Sequence, residues 1–268
     1  MSVATPASRL ADAFARRPAG GPPGLVPYVT AGFPARDDTP GLLAAAERAG
    51  CLAVEVGIPF SDPLADGPTI QRSSQQALAN GMTAARALAA VAEARSRGLT
   101  IPVALMTYVN PVLAFGLERF CSEAAAAGAE AIIVPDLPDD EAAQLRAAAD
   151  AAGLALILLV APTTTAARLE AACRRATGFV YCVSVTGTTG ARAHISQEAL
   201  DLLMRVKAVT SLPRALGFGL SRHEHIRALQ GRAEAAVVGA ALIDRIGAEP
   251  AAPVAAAERF LGELLGTS

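Results

Sequence analysis

Apolar residues along the chain fall into two alternating kinds of segment. Short runs dense in Val, Ile and Leu are each followed by a longer stretch rich in Ala, Arg and Glu with apolar positions at helical spacing. The short runs predict strands at 25–30, 52–57, 103–107, 131–134, 155–160, 179–184, 215–218 and 236–238. The longer stretches predict helices near 39–49, 83–97, 117–127, 139–152, 165–176, 196–208, 221–230 and 240–246, with a closing helix at 253–265. A short amphipathic helix over 1–17 and a Pro/Gly loop over 18–24 precede the first strand. Eight strands alternating with eight helices in 268 residues is the pattern of an α/β fold, a (β/α)8 TIM barrel, here with an extra N-terminal helix. The rival is a doubly wound open sheet, but its Gly-rich first turn is missing; the first turn here reads TAGFP. The strand runs show little polar alternation, as strands covered on both faces require. No linker or break in composition divides the chain, so residues 1–268 are expected to form a single domain.

Composition narrows the function classes. Hydrophobic residues make up 52% and the net charge is −2, so nothing points to nucleic acid or an acidic membrane surface. Cys51, Cys121, Cys173 and Cys182 lie far apart with no CxxC or CxxH pair, which argues against a zinc site and a disulfide scaffold. With no long apolar run and no signal-like start, the expectation is a soluble, cytoplasmic protein.

Candidate chemistry centres on residues 54–67, VEVGIPFSDPLADG. A carboxylate inside an apolar strand is costly unless something uses it or pairs with it. The period of two puts Ala53, Glu55 and Gly57 on one face and the β-branched Val54 and Val56 on the other, so Glu55 is expected to point into the barrel. Barrel sites form at the C-terminal ends of the strands, and a dry position there would raise its pKa into the range of a general acid or base. The alternative is a structural Glu paired with a cation, yet no predicted strand carries a Lys, and Arg214 sits at the opposite end of strand seven. Asp66 follows in a loop rich in Pro and Gly and could pair with a donor on a substrate; Asp62 reads as a loop cap. Two acids alone would also suit a glycosidase.

The last three strands argue against that. They run into SVTGTTGAR, GFGLS and VVGAAL, each placing Gly where a strand gives way to a loop or helix. Backbone N–H groups exposed by Gly at helix N-termini make an anion site, and barrels build one after strands seven and eight. A phosphate-bearing ligand is therefore expected. Other features read as structural. His223, Glu224 and His225 resemble a metal fragment, but residues two apart on a helix face different ways, so a solvated helix end is expected. His194 reads as exposed, and Arg192 as either a phosphate ligand or a solvated loop residue. Tyr28, Tyr108 and Tyr181 lie on or just after strands one, three and six, either as core or lining a pocket for a flat aromatic ligand.

Taken together, VEVGIPFSDPLADGPTIQ, YVTAGFP, LMTYVNPVLAFG, VPDLPDDE, LLVAPTTT, TGTTGAR and GFGLS closely resemble, in order and spacing, the tryptophan synthase α subunit family over essentially the full length. The resemblance implies retro-aldol cleavage of indole-3-glycerol phosphate to indole and glyceraldehyde 3-phosphate. It matches Glu55 to the general acid/base and Asp66 to the group that binds the indole N–H. Tyr28, Met106 and Tyr181 match indole-pocket positions, and Gly190, Gly219, Gly239 and the Ala240 N–H match the phosphate site. Thr189 matches the loop residue that meets Asp66 on closure. The resemblance also implies no cofactor in this chain, a pyridoxal phosphate (PLP)-dependent β subunit as partner in an α2β2 tetramer, and an interface near Pro59, Asp62, Asn110 and Asp136. A free-standing lyase, or a barrel that only binds and activates the β subunit, are the alternatives. One departure is Gly239-Ala240-Ala241 where the family usually has Gly-Ser-Ala, which removes a hydroxyl from the phosphate site. A second lies at 231–235, which leaves the start of strand eight open.

Overall fold

The computed structural model describes residues 6–18, 20–184, 195–217 and 219–267. Eight parallel strands close into a barrel in sequence order. They are β1 Gly24–Thr30, β2 Val54–Gly57, β3 Val103–Met106, β4 Ala131–Ile133, β5 Ala155–Val160, β6 Val180–Val183, β7 Arg214–Gly217 and β8 Ala235–Val238. The helices in order are α1 Pro6–Ala15, α2 Thr39–Arg48, α3 Pro68–Ala79, α4 Ala84–Ser96, α5 Val109–Phe115 and α6 Leu117–Ala126. They continue with α7 Ala143–Ala152, α8 Ala166–Arg175, α9 Gln197–Val209, α10 His223–Ala228, α11 Ala240–Ala248 and α12 Pro253–Leu265.

The expected barrel and N-terminal helix are both present, and all eight strands overlap their predicted positions. The open question at 231–235 resolves with β8 beginning at Ala235, paired to Gly24 of β1 and Ala215 of β7. Two helices are additional to the expected set. α3 buries Ile70, Ser73, Ser74 and Ala77, so half of its inward face is hydroxyl and shows no apolar period. α5 is only seven residues long and carries Pro111 in its first turn, where a missing N–H costs nothing.

The side chains inside the barrel are small at its lower end: Ala53, Ala104, Ala131, Ala155, Ala215 and Ala235 all belong to the inner cluster. That leaves room, which α1 fills from below with Leu10 and Phe14; the Phe14 ring lies 5.6 Å from that of Phe179. α1 is fastened there by Ala7 N–H donating to Gly153 O at 2.9 Å and by Arg9 paired with Glu130 at 2.7 Å. Glu130 is fully buried and also holds Arg95 at 2.8 Å and the Val103 N–H at 2.6 Å. At the foot of β7, Arg214 is bonded to Glu234 at 2.7 Å, and Arg17 reaches the Glu234 carbonyl. These charges stand at the N-terminal ends of the strands, opposite the end where the loops into the helices gather.

Candidate active site

At that upper end, register sets Tyr28 of β1 beside Glu55 of β2, and Gly57 of β2 beside Met106 of β3. Glu55 points inward as its spacing predicts and is 1% exposed. Its Oε1 is buried without a hydrogen-bond partner, and no ion pair reaches it among the described residues. Burial in apolar surroundings, reinforced by the nearby charge of Asp66, pushes its pKa up to about 8. It is therefore protonated at neutral pH, poised to give a proton.

Asp66 is half-buried on the loop between β2 and α3. Burial pushes its pKa up to about 6, opposed by a hydrogen bond from the Tyr108 hydroxyl to Oδ2 at 2.9 Å. The Tyr108 oxygen in turn accepts from the Ala65 N–H at 3.1 Å, and Gln71 donates to the Asp66 carbonyl at 2.9 Å. Two carboxyl groups whose environments push their titrations apart are the arrangement that assigns one as acid and the other as anion.

Two tyrosine rings flank this pair, and each is seated by a glycine on a neighbouring strand. A Cβ at Gly57 would overlap the Tyr28 hydroxyl, and one at Gly217 would come within 2.5 Å of the Tyr181 ring. Tyr28 also belongs to a buried hydroxyl chain: it lies 3.4 Å from Thr30 Oγ1, Thr30 is 2.7 Å from Ser73, and Ser73 donates to Ile70 O at 2.9 Å. Both phenols are held neutral, their pKa raised first by burial and then by the surrounding acids. Met106, half-buried at the top of β3, completes the apolar wall. Neither the Tyr108 clamp nor the two glycine seats was read from the sequence. The seats had a signal there, a Gly at the inward position ending a strand; the Tyr108 bond joins residues 42 apart and had none.

On the side where phosphate is expected, β8 ends at Val238 and α11 starts at Ala240, placing the unpaired first N–H groups of that helix at the top. Gly219 has φ +77, a conformation that favours glycine. The expectations for Thr189, Gly190, Arg192 and His194 lie outside the described residues. Of the positions expected near an interface, Asp62, Asn110 and Asp136 are exposed at this end and Pro59 is buried. Asp136 accepts the Val109 N–H at 2.9 Å.

The reading of His223 and His225 as a solvated helix end is corrected. His225 is 3% exposed and its Nδ1 accepts the Ser221 N–H at 3.2 Å, while His223 Nδ1 lies 2.9 Å from the Leu264 carbonyl and ties α10 to α12. His225 is thus packed and His223 partly so, while Glu224 between them is exposed. Among the described residues no group of His, Cys, Asp and Glu is arranged to hold a metal ion, and no helix is long and apolar enough to cross a membrane.

A family model described as "Tryptophan synthase alpha chain" matches residues 14–264. A tryptophan synthase alpha chain from Chloroflexus aurantiacus is 49% identical over 96% of this chain and 97% of its own length. Among solved structures, a chain of the tryptophan synthase a2b2 complex from Pyrococcus furiosus superposes with TM-score 0.86 at 42% identity, covering 91% of this chain and 98% of that one. A chain of tryptophan synthase from Mycobacterium tuberculosis gives TM-score 0.89 at 37% identity, covering 97% of both.

Proposed function

The chain belongs to the tryptophan synthase α chain family, and from that premise we propose that Glu55 and Asp66 divide the proton and charge chemistry of its reaction between them. The reaction is the lyase step of tryptophan biosynthesis that cleaves indole-3-glycerol phosphate to indole and glyceraldehyde 3-phosphate. Breaking the bond between indole C3 and the glycerol carbon requires a proton on C3 and removal of a proton from the adjacent hydroxyl. Glu55, protonated at neutral pH, gives the first and, once ionised, takes the second. Protonating C3 puts positive charge on the indole nitrogen. Asp66, ionised above about pH 6, bonds that N–H and stabilises the charge as it develops. Tyr28, Met106 and Tyr181 hold the ring. The phosphate goes to backbone N–H groups at Gly219, Gly239 and Ala240; the parts that the family resemblance gives Thr189 and Gly190 fall outside the described residues. The observation that carries this reading is the buried Glu55, whose Oε1 has no hydrogen-bond partner and whose pKa burial and the charge of Asp66 both raise.

The partner is a tryptophan synthase β subunit in an α2β2 complex, as in the assembly from Pyrococcus furiosus. In this reading it docks over the barrel top near Pro59, Asp62, Asn110 and Asp136, carries PLP and receives the indole, while this chain needs no cofactor. The whole chain acts as one domain, in the cytoplasm. The test is indole release from indole-3-glycerol phosphate, measured with and without a β subunit. Indole should form and its rate should rise by orders of magnitude on adding the β subunit; no indole in either case would sink the reading.

A further inference from the structure

We propose that Tyr108 is a positioning residue for the cleavage: its hydroxyl, bonded at once to the Ala65 N–H and the Asp66 carboxylate, holds that carboxylate in the orientation that meets the indole nitrogen. The inference rests on the reading of Asp66 given above. Four observations carry it.

The donor directions are fixed. A backbone N–H can only donate, so the phenol oxygen accepts from Ala65 at 3.1 Å and its single hydrogen goes to Asp66 Oδ2 at 2.9 Å. One hydroxyl thus fastens both the backbone and the side chain of the loop tip. Second, the clamp does not ride on the loop it holds. Tyr108 follows β3, is 4% exposed and has extended backbone where α5 begins. Third, the loop's other restraints around Asp66 are few: two local turns (Leu64 N–H to Asp62 O at 2.9 Å, Asp66 N–H to Pro63 O at 3.1 Å), the Gln71 bond to the Asp66 carbonyl, and, at the start of the loop, the Phe60 ring 5.5 Å from that of Tyr108. Leu64, two residues before Asp66, is 91% exposed. Fourth, the bond engages one carboxylate oxygen only. Among the described residues Oδ1 carries no hydrogen bond, so it remains for a ligand donor. The hydroxyl also favours the charged carboxylate, against the burial that pushes Asp66 up to about 6.

If Tyr108 merely filled space, a phenylalanine would serve equally well. The decisive measurement is therefore the pH profile of indole release by the assembled α2β2 complex for wild type, Tyr108→Phe, Asp66→Asn and the double variant. Tyr108→Phe should lower kcat roughly tenfold or more with KM within about twofold, as loss of a hydrogen bond to a charged group predicts. The acidic limb of kcat/KM should move towards neutral pH by about one unit, because Asp66 loses the donor that favours its ionised form. In the Asp66→Asn background, Tyr108→Phe should cost nothing further. Site-specific 3-fluorotyrosine at position 108, a stronger donor of nearly the same shape, should move the limb the other way; it leaves the packing intact should the Phe variant fold poorly. A Tyr108→Phe enzyme with wild-type kcat and wild-type acidic limb, or a full additional loss in the Asp66→Asn background, would overturn the inference while leaving the role of Asp66 standing. Full activity in Asp66→Asn alone would instead remove that role, and the inference with it.

Discussion

The two ends of the barrel each bury a glutamate in the interior, and they treat it in opposite ways. At the lower end Glu130, fully buried, meets Arg9, Arg95 and the Val103 N–H. At the upper end Glu55, 1% exposed, meets no donor at all on Oε1. Burial raises the pKa of both, but at Glu130 the arginines and the backbone N–H pull against it, whereas at Glu55 the charge of Asp66 adds to it. The same residue type in the same fold thus fastens one end together and stays reactive at the other. A satisfied buried carboxylate is a joint; an orphaned one at the C-terminal end of a barrel strand is available for chemistry.

An identical exchange at both glutamates would break or sharpen this contrast. The largest effect is expected for Glu55→Gln, which should lower indole formation by about a thousandfold or more, at the level general acid–base catalysis supplies. A steady-state assay on the assembled complex checks it, and retained activity would remove Glu55 from its role. The same variant should be more stable than wild type at alkaline pH. The folded chain keeps the Glu55 proton up to about pH 8, while the unfolded chain releases it near 4.5, so wild-type stability falls as pH rises through that window. Glu55→Gln lacks that slope and should gain on the order of 2–4 kcal/mol by about pH 9, with little gain near pH 5, measured by denaturant unfolding across pH.

Glu130→Gln should do the reverse. Removing the charge from a buried, paired site leaves Arg95 uncompensated and should cost about 3 kcal/mol of stability, with kcat of the folded fraction unchanged. A loss of activity without loss of stability would erase the distinction between the two ends.

The smallest expected effect lies at the phosphate side of the upper end. Ala240→Ser would add a hydroxyl at the start of α11 and should improve phosphate binding by about 1 kcal/mol, read as a lower KM for indole-3-glycerol phosphate. No improvement would mean the backbone N–H groups suffice by themselves.

Much of this was legible in the sequence because barrel strands and helices write their periods plainly. The inward direction of Glu55 followed from Val54 and Val56 alone, and the eight strands from their Val/Ile/Leu runs. α3 was missed because Ser73 and Ser74 make up half of its buried face, where Ser73 serves a hydroxyl chain instead of an apolar core. α5 was missed because seven residues with a proline carry too little periodicity to separate from a loop. His225 was misjudged because burial of a helix's first turn depends on what packs over it, here residues beyond the reach of local pattern. The Tyr108 clamp and the glycine seats are contacts between strands and loops distant in sequence, which no window of the chain displays. Thr189 and Gly190 remain expectations.

The N-terminal helix has a further consequence. Leu10 and Phe14 complete the packed interior from below, against a cluster that includes Ile133, Ile157 and Phe179, so the barrel is filled rather than hollow. Substrate and product are therefore confined to the upper end, where Glu55, Asp66 and the two tyrosines lie. A subunit seated over that end would therefore govern where the product goes, while the ten-residue α1 closes the core at the other end.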